Sequence, residues 1–432
     1  MNPTAFDRSS IVPLAFATAV SMWAVAYAFR LPAVMAPSWL LLAAMLGVIA
    51  VWGWVIGRRA AGGWRAGAAI GAAAGVINLL ILGSLLSSAD DGALLPSAVL
   101  WVPGSLLVSA LVAAAFAAAA GARTDTYGGP AAWTALFAKV AVAATFLLVV
   151  AGGLVTSHEA GLAVVDWPNT FGTNMFLYPL ARMTGGIYYE HAHRLFGALV
   201  GLTTIALAVR LWRRDPRPWL RRLAAAAVVL VIVQGVLGGL RVTGGFTLSV
   251  SEADMAPNIT LAVVHGVLGQ VFLCVVVAIA AATSLWWSAA PPAEPRATLA
   301  GDRSLQQWLV ATLLVQLVLG AVQRHLAWGL IIHISLAAVV TMLAVIAGAR
   351  AWGMYHGTWP VQKLGQAVIG VVSVQVALGI AALAVTQGRA IVGSPTALEV
   401  TIATAHQATG AALLALSVAL ALWTRRLFAA NR

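Results

Sequence analysis

Twelve apolar runs of about 20 residues constrain this sequence more than any other feature. A helix of that length crosses a bilayer core of roughly 30 Å. A mean hydropathy of +0.93, with only 9% charged residues, excludes a soluble globule. We therefore expect an all-α integral membrane protein with about twelve transmembrane helices. The predicted spans are 11–30, 37–57, 66–87, 95–119, 134–155, 188–212, 219–243, 259–286, 305–323, 327–353, 361–386 and 398–424.

The net charge of +12 is best explained by membrane topology. With a cytoplasmic N-terminus, 19 Lys and Arg residues fall on the cytoplasmic side and 6 on the outer side. This predicts that both termini are cytoplasmic, in a bacterial-type inner (cell) membrane. No basic stripe is interleaved with aromatic residues, so we expect the lipid bilayer and no nucleic acid as a partner. The first run resembles a signal peptide, but Asp7 cancels Arg8 and the topology needs this span, which favours a retained anchor.

Histidine placement divides the chain unevenly. Spans one to four contain no histidine, and they predict an N-terminal four-helix extension, residues 1–130, of unknown role. Residues 287–304 are polar and proline-rich, which predicts a linker between two four-helix halves at 131–286 and 305–432. The only cysteine, Cys274, lies within an apolar run, so no intrachain disulfide can form.

The two halves repeat one another in parallel. His265 and His406, each followed four residues later by glycine, are 141 residues apart, and so are Gln234 and Gln375. His193 and His333 are 140 residues apart. The segment Gly153–His158 at the end of the fifth span has a counterpart in 320–325 at the end of the ninth. Such matches at a nearly constant offset indicate a duplication.

Four histidines lie at a similar depth from the outer ends of their spans: His193, His265, His333 and His406. Each is followed four residues later by Gly or Ala, which leaves space for a flat ring on the same helical face. Two imidazoles on alternate helices of a four-helix bundle predict a bis-histidine heme site in each half. A packing role is the alternative for any one histidine, and zinc is disfavoured because no third or fourth ligand accompanies them.

One carboxylate distinguishes the halves. Glu190 precedes His193 by three residues, whereas Leu330 holds that place before His333. This predicts that the first half is reactive and the second is a relay or structural site. The alternative for Glu190 is an ion pair with Arg194. Arg194, Arg241 and Arg324 lie at outer helix ends, where they are candidates for heme propionate contacts or simple interfacial charges.

The loop 156–187 is aromatic and poor in Lys and Arg, which predicts a lid or an interfacial helix over the first half. His158 and His325 occupy equivalent outer corners. They are candidates for labile ligands or propionate partners, with solvation in a loop as the alternative. His191 faces away from His193 and is expected to be a neighbour of the site, and His356 is expected to be solvated.

The segments GGLVTSHEAGLAVVDWP, YYEHAHR, QGVLGGLRVT, VHGVLGQ and TAHQATG resemble the heme A synthase family of cytochrome oxidase assembly proteins over residues 134–426. The resemblance implies eight helices in two halves and oxidation of a heme O methyl group to the formyl group of heme A. It implies that Glu190 is catalytic, that His193 and His265 flank the substrate heme, and that His333 and His406 bind heme b. An electron donor, heme O synthase and cytochrome oxidase subunits are the implied partners.

This chain departs from some bacterial relatives, because it has no paired cysteines in outer loops. The four N-terminal spans also carry no Asp-rich diphosphate motif, so they do not resemble a fused heme O synthase. Two alternatives remain at this point. One is a diheme b-type electron carrier, which would gain nothing from Glu190, and the other is a heme-handling assembly factor without catalysis.

Overall fold

The fold is all-α, as seen in a computed structural model that describes residues 7–88, 93–121, 129–243, 258–291, 294–386 and 394–430. Within these ranges there are twelve long helices and one short one. The helices are α1 (Ile11–Arg30), α2 (Ser38–Arg59), α3 (Gly63–Leu82), α4 (Ala98–Ala119), α5 (Gly129–Ser157), α6 (Gly185–Arg214), α7 (Pro218–Val242), α8 (Ile259–Thr283), α9 (Leu285–Ala289), α10 (Leu299–Leu326), α11 (Leu330–Met354), α12 (Trp359–Thr386) and α13 (Ala397–Leu427).

These helices confirm the predicted all-α membrane architecture. Eleven of them, within the described residues, are long and apolar enough to cross a membrane, and α3 is a further helix of 20 residues. Many large apolar side chains on them are exposed, as lipid-facing surfaces require. Examples are Trp39, Leu100, Trp101, Ile331 and Ile380. The chain is therefore a multi-pass membrane protein.

The described chain forms two compact units. Unit 1 comprises residues 1–148 and 160–228, and unit 2 comprises residues 149–159 and 229–432. These units cut the chain within α5 and α7, at places other than the predicted domain boundaries. The predicted division at residues 130, 286 and 304 rests on the sequence repeat and stays a prediction.

In unit 1, helices α1–α4 pack closely through small residues. A Cβ on Gly57 would lie 2.3 Å from the carbonyl oxygen of Ala117, and one on Gly71 would lie 2.3 Å from that of Ser109. Glycine at such places lets helix backbones approach closely, which is a common means of association in membranes. The N-terminal extension is therefore a tightly packed bundle in its own right.

The extension also packs against α6 within unit 1. Trp23 of α1 stacks on Phe196 of α6 with ring centroids 5.9 Å apart. The Tyr188 hydroxyl donates a hydrogen bond to the carbonyl oxygen of Tyr27 at 2.6 Å. At the other end of α6, the buried Arg210 donates to the carbonyl oxygen of Ser9 at 2.8 Å. Helix α1 is thus fixed to both ends of the helix that carries Glu190.

In unit 2, α10–α13 form a four-helix arrangement in which sequential neighbours pack together, α10 contacts α13, and α8 packs on α10 and α13. Its apolar core includes Leu309, Val340, Val368 and Leu420. Together with the C-terminal part of α7, these helices contain three of the four candidate histidine ligands.

The predicted linker 287–304 contains ordered structure where it is described. Strand β3 (Glu294–Arg296) pairs in parallel with β4 (Phe428–Ala430), and α10 begins at Leu299, before the predicted start at residue 305. Asp302, in the first turn of α10, is buried and accepts hydrogen bonds from Arg350 at 2.6 Å and Tyr355 at 2.7 Å. Some of the polar residues that suggested a linker therefore have hydrogen-bond partners inside the fold.

Candidate heme and catalytic sites

Glu190 lies near the N-terminal end of α6 and is 5% exposed. Its Oε1 accepts a hydrogen bond from Nε of Arg194 at 3.1 Å, an i,i+4 ion pair on one helical face. A buried carboxylate needs such a cation or further donors to remain charged. The ion pair expected as the alternative role of Glu190 therefore forms, and it also keeps a carboxylate within the buried region around His193.

Arg194 holds the loop that precedes α6. Its Nη1 donates to the carbonyl oxygens of Asp166 at 2.6 Å and Asn169 at 3.2 Å, and its Nη2 donates to that of Val164 at 2.8 Å. Because Nε also donates to Glu190, all three guanidinium nitrogens of Arg194 donate hydrogen bonds. A propionate contact by Arg194 stays a prediction, and it would have to displace these carbonyl groups.

The loop between α5 and α6 contains a hairpin turn that a side chain of the same loop stabilises. Strands β1 (Asn169–Thr170) and β2 (Thr173–Asn174) form a tight hairpin, and both carboxylate oxygens of Asp166 accept backbone N–H groups at the turn, from Phe171 and Gly172. Short 3₁₀ turns follow at Met175–Leu177 and Leu180–Arg182. The described loop contains no α-helix, so the predicted interfacial helix was wrong, whereas the lid stays a prediction.

His191 connects this loop to α6. Its imidazole is fully buried, its Nδ1 lies 3.0 Å from Oγ1 of Thr170, and its ring packs against Tyr178 with centroids 5.1 Å apart. Burial raises the pKa of Tyr178, so the phenol stays protonated at neutral pH. These contacts give His191 a positioning role in the loop. His193, two residues on and therefore about 200° around the helix, points elsewhere and is partly exposed.

His333 and His406 are brought together in unit 2. Their ring centroids are 6.5 Å apart and the ring planes are nearly perpendicular. Two imidazoles on opposite sides of one iron, with metal–nitrogen bonds of about 2 Å, would have centres roughly 6 Å apart. The two side chains therefore fit a bis-histidine heme site. His193 lies in unit 1 and His265 in unit 2, and each is described within its own unit.

Three imidazoles in unit 2 pack against a glycine of the helix that precedes them. The Cε1 atom of the histidine is the nearest atom that a Cβ on the glycine would meet. The distances would be 3.4 Å for Gly238 with His265, 3.1 Å for Gly320 with His333, and 3.0 Å for Gly379 with His406.

A glutamine precedes each of these glycines by four residues: Gln234 in α7, Gln316 in α10 and Gln375 in α12. The side chains of two of them contact the histidine: Nε2 of Gln316 lies 3.1 Å from Nδ1 and 3.3 Å from Nε2 of His333, and Nε2 of Gln375 lies 3.5 Å from Nε2 of His406. The sequence repeat had already paired Gln234 with Gln375, but it gave them no role, and Gln316 was missed. Its spacing of four residues from Gly320 was the signal that could have revealed it.

The remaining candidates lie at or near helix ends of unit 2. The charge of Arg241 acts on the imidazoles of His265 and His325. Arg324 donates to the carbonyl oxygen of Thr156 at 2.6 Å. Burial lowers the pKa of His158, so this imidazole is neutral at physiological pH. The propionate contacts of Arg241 and Arg324, and the roles of His158 and His325, stay predictions. His356 is exposed between α11 and α12, as predicted.

Comparison with known proteins supports the resemblance seen in the sequence. Residues 135–334 match the family model described as cytochrome oxidase assembly protein. A heme A synthase of Shouchella clausii (strain KSM-K16) is 35% identical over 101 residues, which cover 23% of this chain and 32% of that protein. The resemblance to the heme A synthase family is confirmed. The chain spans about a third of the length of this curated relative. No solved structure matches the chain.

The matched region includes Glu190, His193, His265 and His333, as well as Arg194, Arg241 and Arg324, and it ends before His406. The predicted extent of the resemblance to residue 426 therefore stays a prediction beyond residue 334.

Proposed function

We propose that this protein is a heme-modifying oxidoreductase of the heme A synthase type, which oxidises a methyl group of heme O to the formyl group of heme A for cytochrome c oxidase. The proposed route is two successive hydroxylations, each with dioxygen as the oxidant: one oxygen atom enters the methyl group, and the other leaves as water with two electrons and two protons from the electron donor. The resulting geminal diol loses water to give the formyl group. The observation that carries the proposal is the family match over the segment that contains Glu190 and three of the histidines.

Glu190 is the proposed catalytic residue. Its carboxylate is buried, it is held at one oxygen by Arg194, and it lies three residues before His193 on the same helical face. A carboxylate fixed in this way stabilises positive charge on a substrate or moves a proton during oxidation. The resemblance assigns His193 and His265 to the substrate heme O.

His333 and His406 are the proposed ligands of a resident heme b. Their ring centroids are 6.5 Å apart, in an edge-to-face arrangement. When bound, heme b supplies a one-electron carrier between an electron donor and the substrate site. Arg241 and Arg324, near the same helix ends, are proposed to bind heme propionates, and Arg194 is proposed to do so at the first site.

The proposed setting is a bacterial-type inner membrane with both termini cytoplasmic and the heme sites toward the outer side. The excess of Lys and Arg in the loops on one side supports this orientation. Heme O synthase and cytochrome oxidase subunits are proposed partners, because one would supply the substrate and the other would receive the product.

Expression with a heme O source, followed by extraction and chromatography of membrane pigments, tests the proposal. We expect heme A to appear only when both this protein and heme O are present. Heme O that stays unmodified beside a diheme b spectrum would favour an electron carrier. Unmodified heme O without bound heme would favour an assembly factor, and either result would overturn the proposed enzyme.

A further inference from the structure

The three histidine–glycine contacts of unit 2 recur at the same place in three helical hairpins. In α7–α8, α10–α11 and α12–α13, the histidine lies near the N-terminal end of the second helix and the glycine near the C-terminal end of the first. This hairpin unit is smaller than the four-helix repeat that the sequence reveals. The histidine–glycine contact is therefore a feature of each of these helical hairpins, as well as of the larger four-helix repeat.

The spacing of glutamine and glycine has a direct physical consequence. In an α-helix, the carbonyl of residue i points toward residue i+4, whose side chain leans back over it. Glycine at i+4 leaves that carbonyl open to a side chain from a neighbouring helix. The imidazole of His333 reaches this opening, since its Cε1 would be only 3.1 Å from a Cβ on Gly320.

The glutamine side chains add a second contact in the two hairpins of the proposed heme b site. Nε2 of Gln316 donates to the carbonyl oxygen of His333 at 2.9 Å and lies 3.1 Å from its Nδ1. Nε2 of Gln375 lies 3.5 Å from Nε2 of His406, and the Gln375 amide oxygen accepts a short hydrogen bond from Thr409. Each of these two glutamines thus contacts the ligand histidine with its side chain.

We propose that the sequence Gln-x-x-x-Gly is a ligand-positioning cradle, in which the glutamine side chain and the bare glycine fix the imidazole that binds heme. This inference rests on the proposed function, because it takes His333 and His406 as heme b ligands. Metal-ligating histidines usually hydrogen-bond their second ring nitrogen to a backbone carbonyl or carboxylate, and this contact sets ring orientation and basicity. Gln316 with Gly320, and Gln375 with Gly379, are the positioning residues.

Glycines elsewhere on the same helices provide matched controls. A Cβ on Gly370 of α12 or on Gly301 of α10 would meet no atom within 4 Å. Alanine at such a place removes backbone freedom and favours the helix, so it is not expected to unfold the protein. Gly370→Ala and Gly301→Ala therefore test the effect of the methyl group away from the cradle.

The experiment measures heme b in the purified full-length protein by reduced-minus-oxidised spectra, midpoint potential and retention during detergent washing. We expect Gly379→Ala and Gly320→Ala to weaken heme b retention about 10- to 100-fold and to shift its potential and low-spin spectrum. Gln316→Leu, which removes the amide without crowding the ring, should shift the same spectrum. Gly370→Ala and Gly301→Ala should behave as wild type.

Wild-type spectra, potential and retention in Gly320→Ala, Gly379→Ala and Gln316→Leu would overturn the cradle. If heme b binding depends on the cradle but no heme A is formed, the proposed enzyme fails and the cradle stands. If wild-type protein carries no heme b, both proposals fall together. If Gly320→Ala or Gly379→Ala elutes as an aggregate while the control variants elute as folded protein, the result for Gln316→Leu decides the test.

Discussion

The N-terminal ends of α6 and α11 carry the same histidine in two very different settings. Before His193, α6 has Glu190 and a long loop whose backbone is held by Arg194. Before His333, α11 has Leu330 and a tight turn through Ala327 and Gly329, both with positive φ. The comparison shows that a duplicated histidine position can have two different local surroundings. One copy has a buried carboxylate and a loop held by Arg194, and the other has Leu330 and a short turn.

The carboxylate is the sharpest difference, and Glu190→Leu makes the first copy resemble the second. We expect heme A formation to fall by about 100-fold or more, because a positioned acid or base commonly contributes that much. Heme b in the second site should be unchanged. Heme A extracted from membranes is the measurement, and the reciprocal Leu330→Glu is expected to leave heme A formation intact. Wild-type heme A levels in Glu190→Leu would remove the assigned role.

The paired imidazoles are the feature that defines the second copy. His333→Met and His406→Met should each abolish the low-spin bis-histidine spectrum of heme b, since one iron ligand is replaced by a thioether. Reduced-minus-oxidised spectra of the purified variants check this, with the exposed His356→Met as a control that keeps the spectrum. An unaltered low-spin spectrum in either of the two site variants would mean that the heme b site lies elsewhere.

The loop over the first copy depends on Arg194. Arg194→Leu leaves three backbone carbonyls and a buried carboxylate without their donor, which should destabilise the closed loop by on the order of 3 kcal/mol. Faster hydrogen exchange across residues 160–184 is the expected result. Arg182→Leu, at an exposed position in the same loop, should leave exchange nearly unchanged. Equal exchange in the two variants would show that Arg194 does not hold the loop.

The smallest effect is expected where the N-terminal extension meets α6. Arg210 donates to Ser9 at 2.8 Å, to Thr134 at 2.9 Å and to Pro130 at 3.1 Å. Arg210→Met should lower stability by roughly 2 kcal/mol, because buried acceptors lose their donor. Thermal unfolding in detergent measures this, with the exposed Arg213→Met as the control. An unchanged melting temperature for Arg210→Met would show that the contacts of Arg210 do not stabilise the protein.

The helices could be predicted because apolar length alone determines them in a membrane. The span predicted at 11–30 coincides with α1, and most other ends differ by a few residues. The start of α10 was missed because Asp302 and Arg303 look like loop residues, although Asp302 is buried beside Arg350. A buried polar residue whose hydrogen-bond partner is far away in the sequence cannot be recognised from its sequence neighbours.

The site was only partly predictable, for a similar reason. The spacing of histidines and the Glu190–Leu330 difference are visible in the sequence, and they point to a reactive and an unreactive copy. The contacts of Arg194 go to main-chain carbonyls, which every residue has, so no pattern of side chains announces them. In the fifth span, Val149 stands where Gln316 stands in the ninth, so the glutamine is absent from one of the four pairs.

The most direct test of the two unequal copies is the heme composition of the purified protein after expression with a heme O source. Extraction and chromatography should recover heme b together with heme O or heme A, which would correspond to a resident cofactor and a substrate or product. Two equivalents of heme b, with no heme O or heme A, would contradict the assignment of different functions to the two copies.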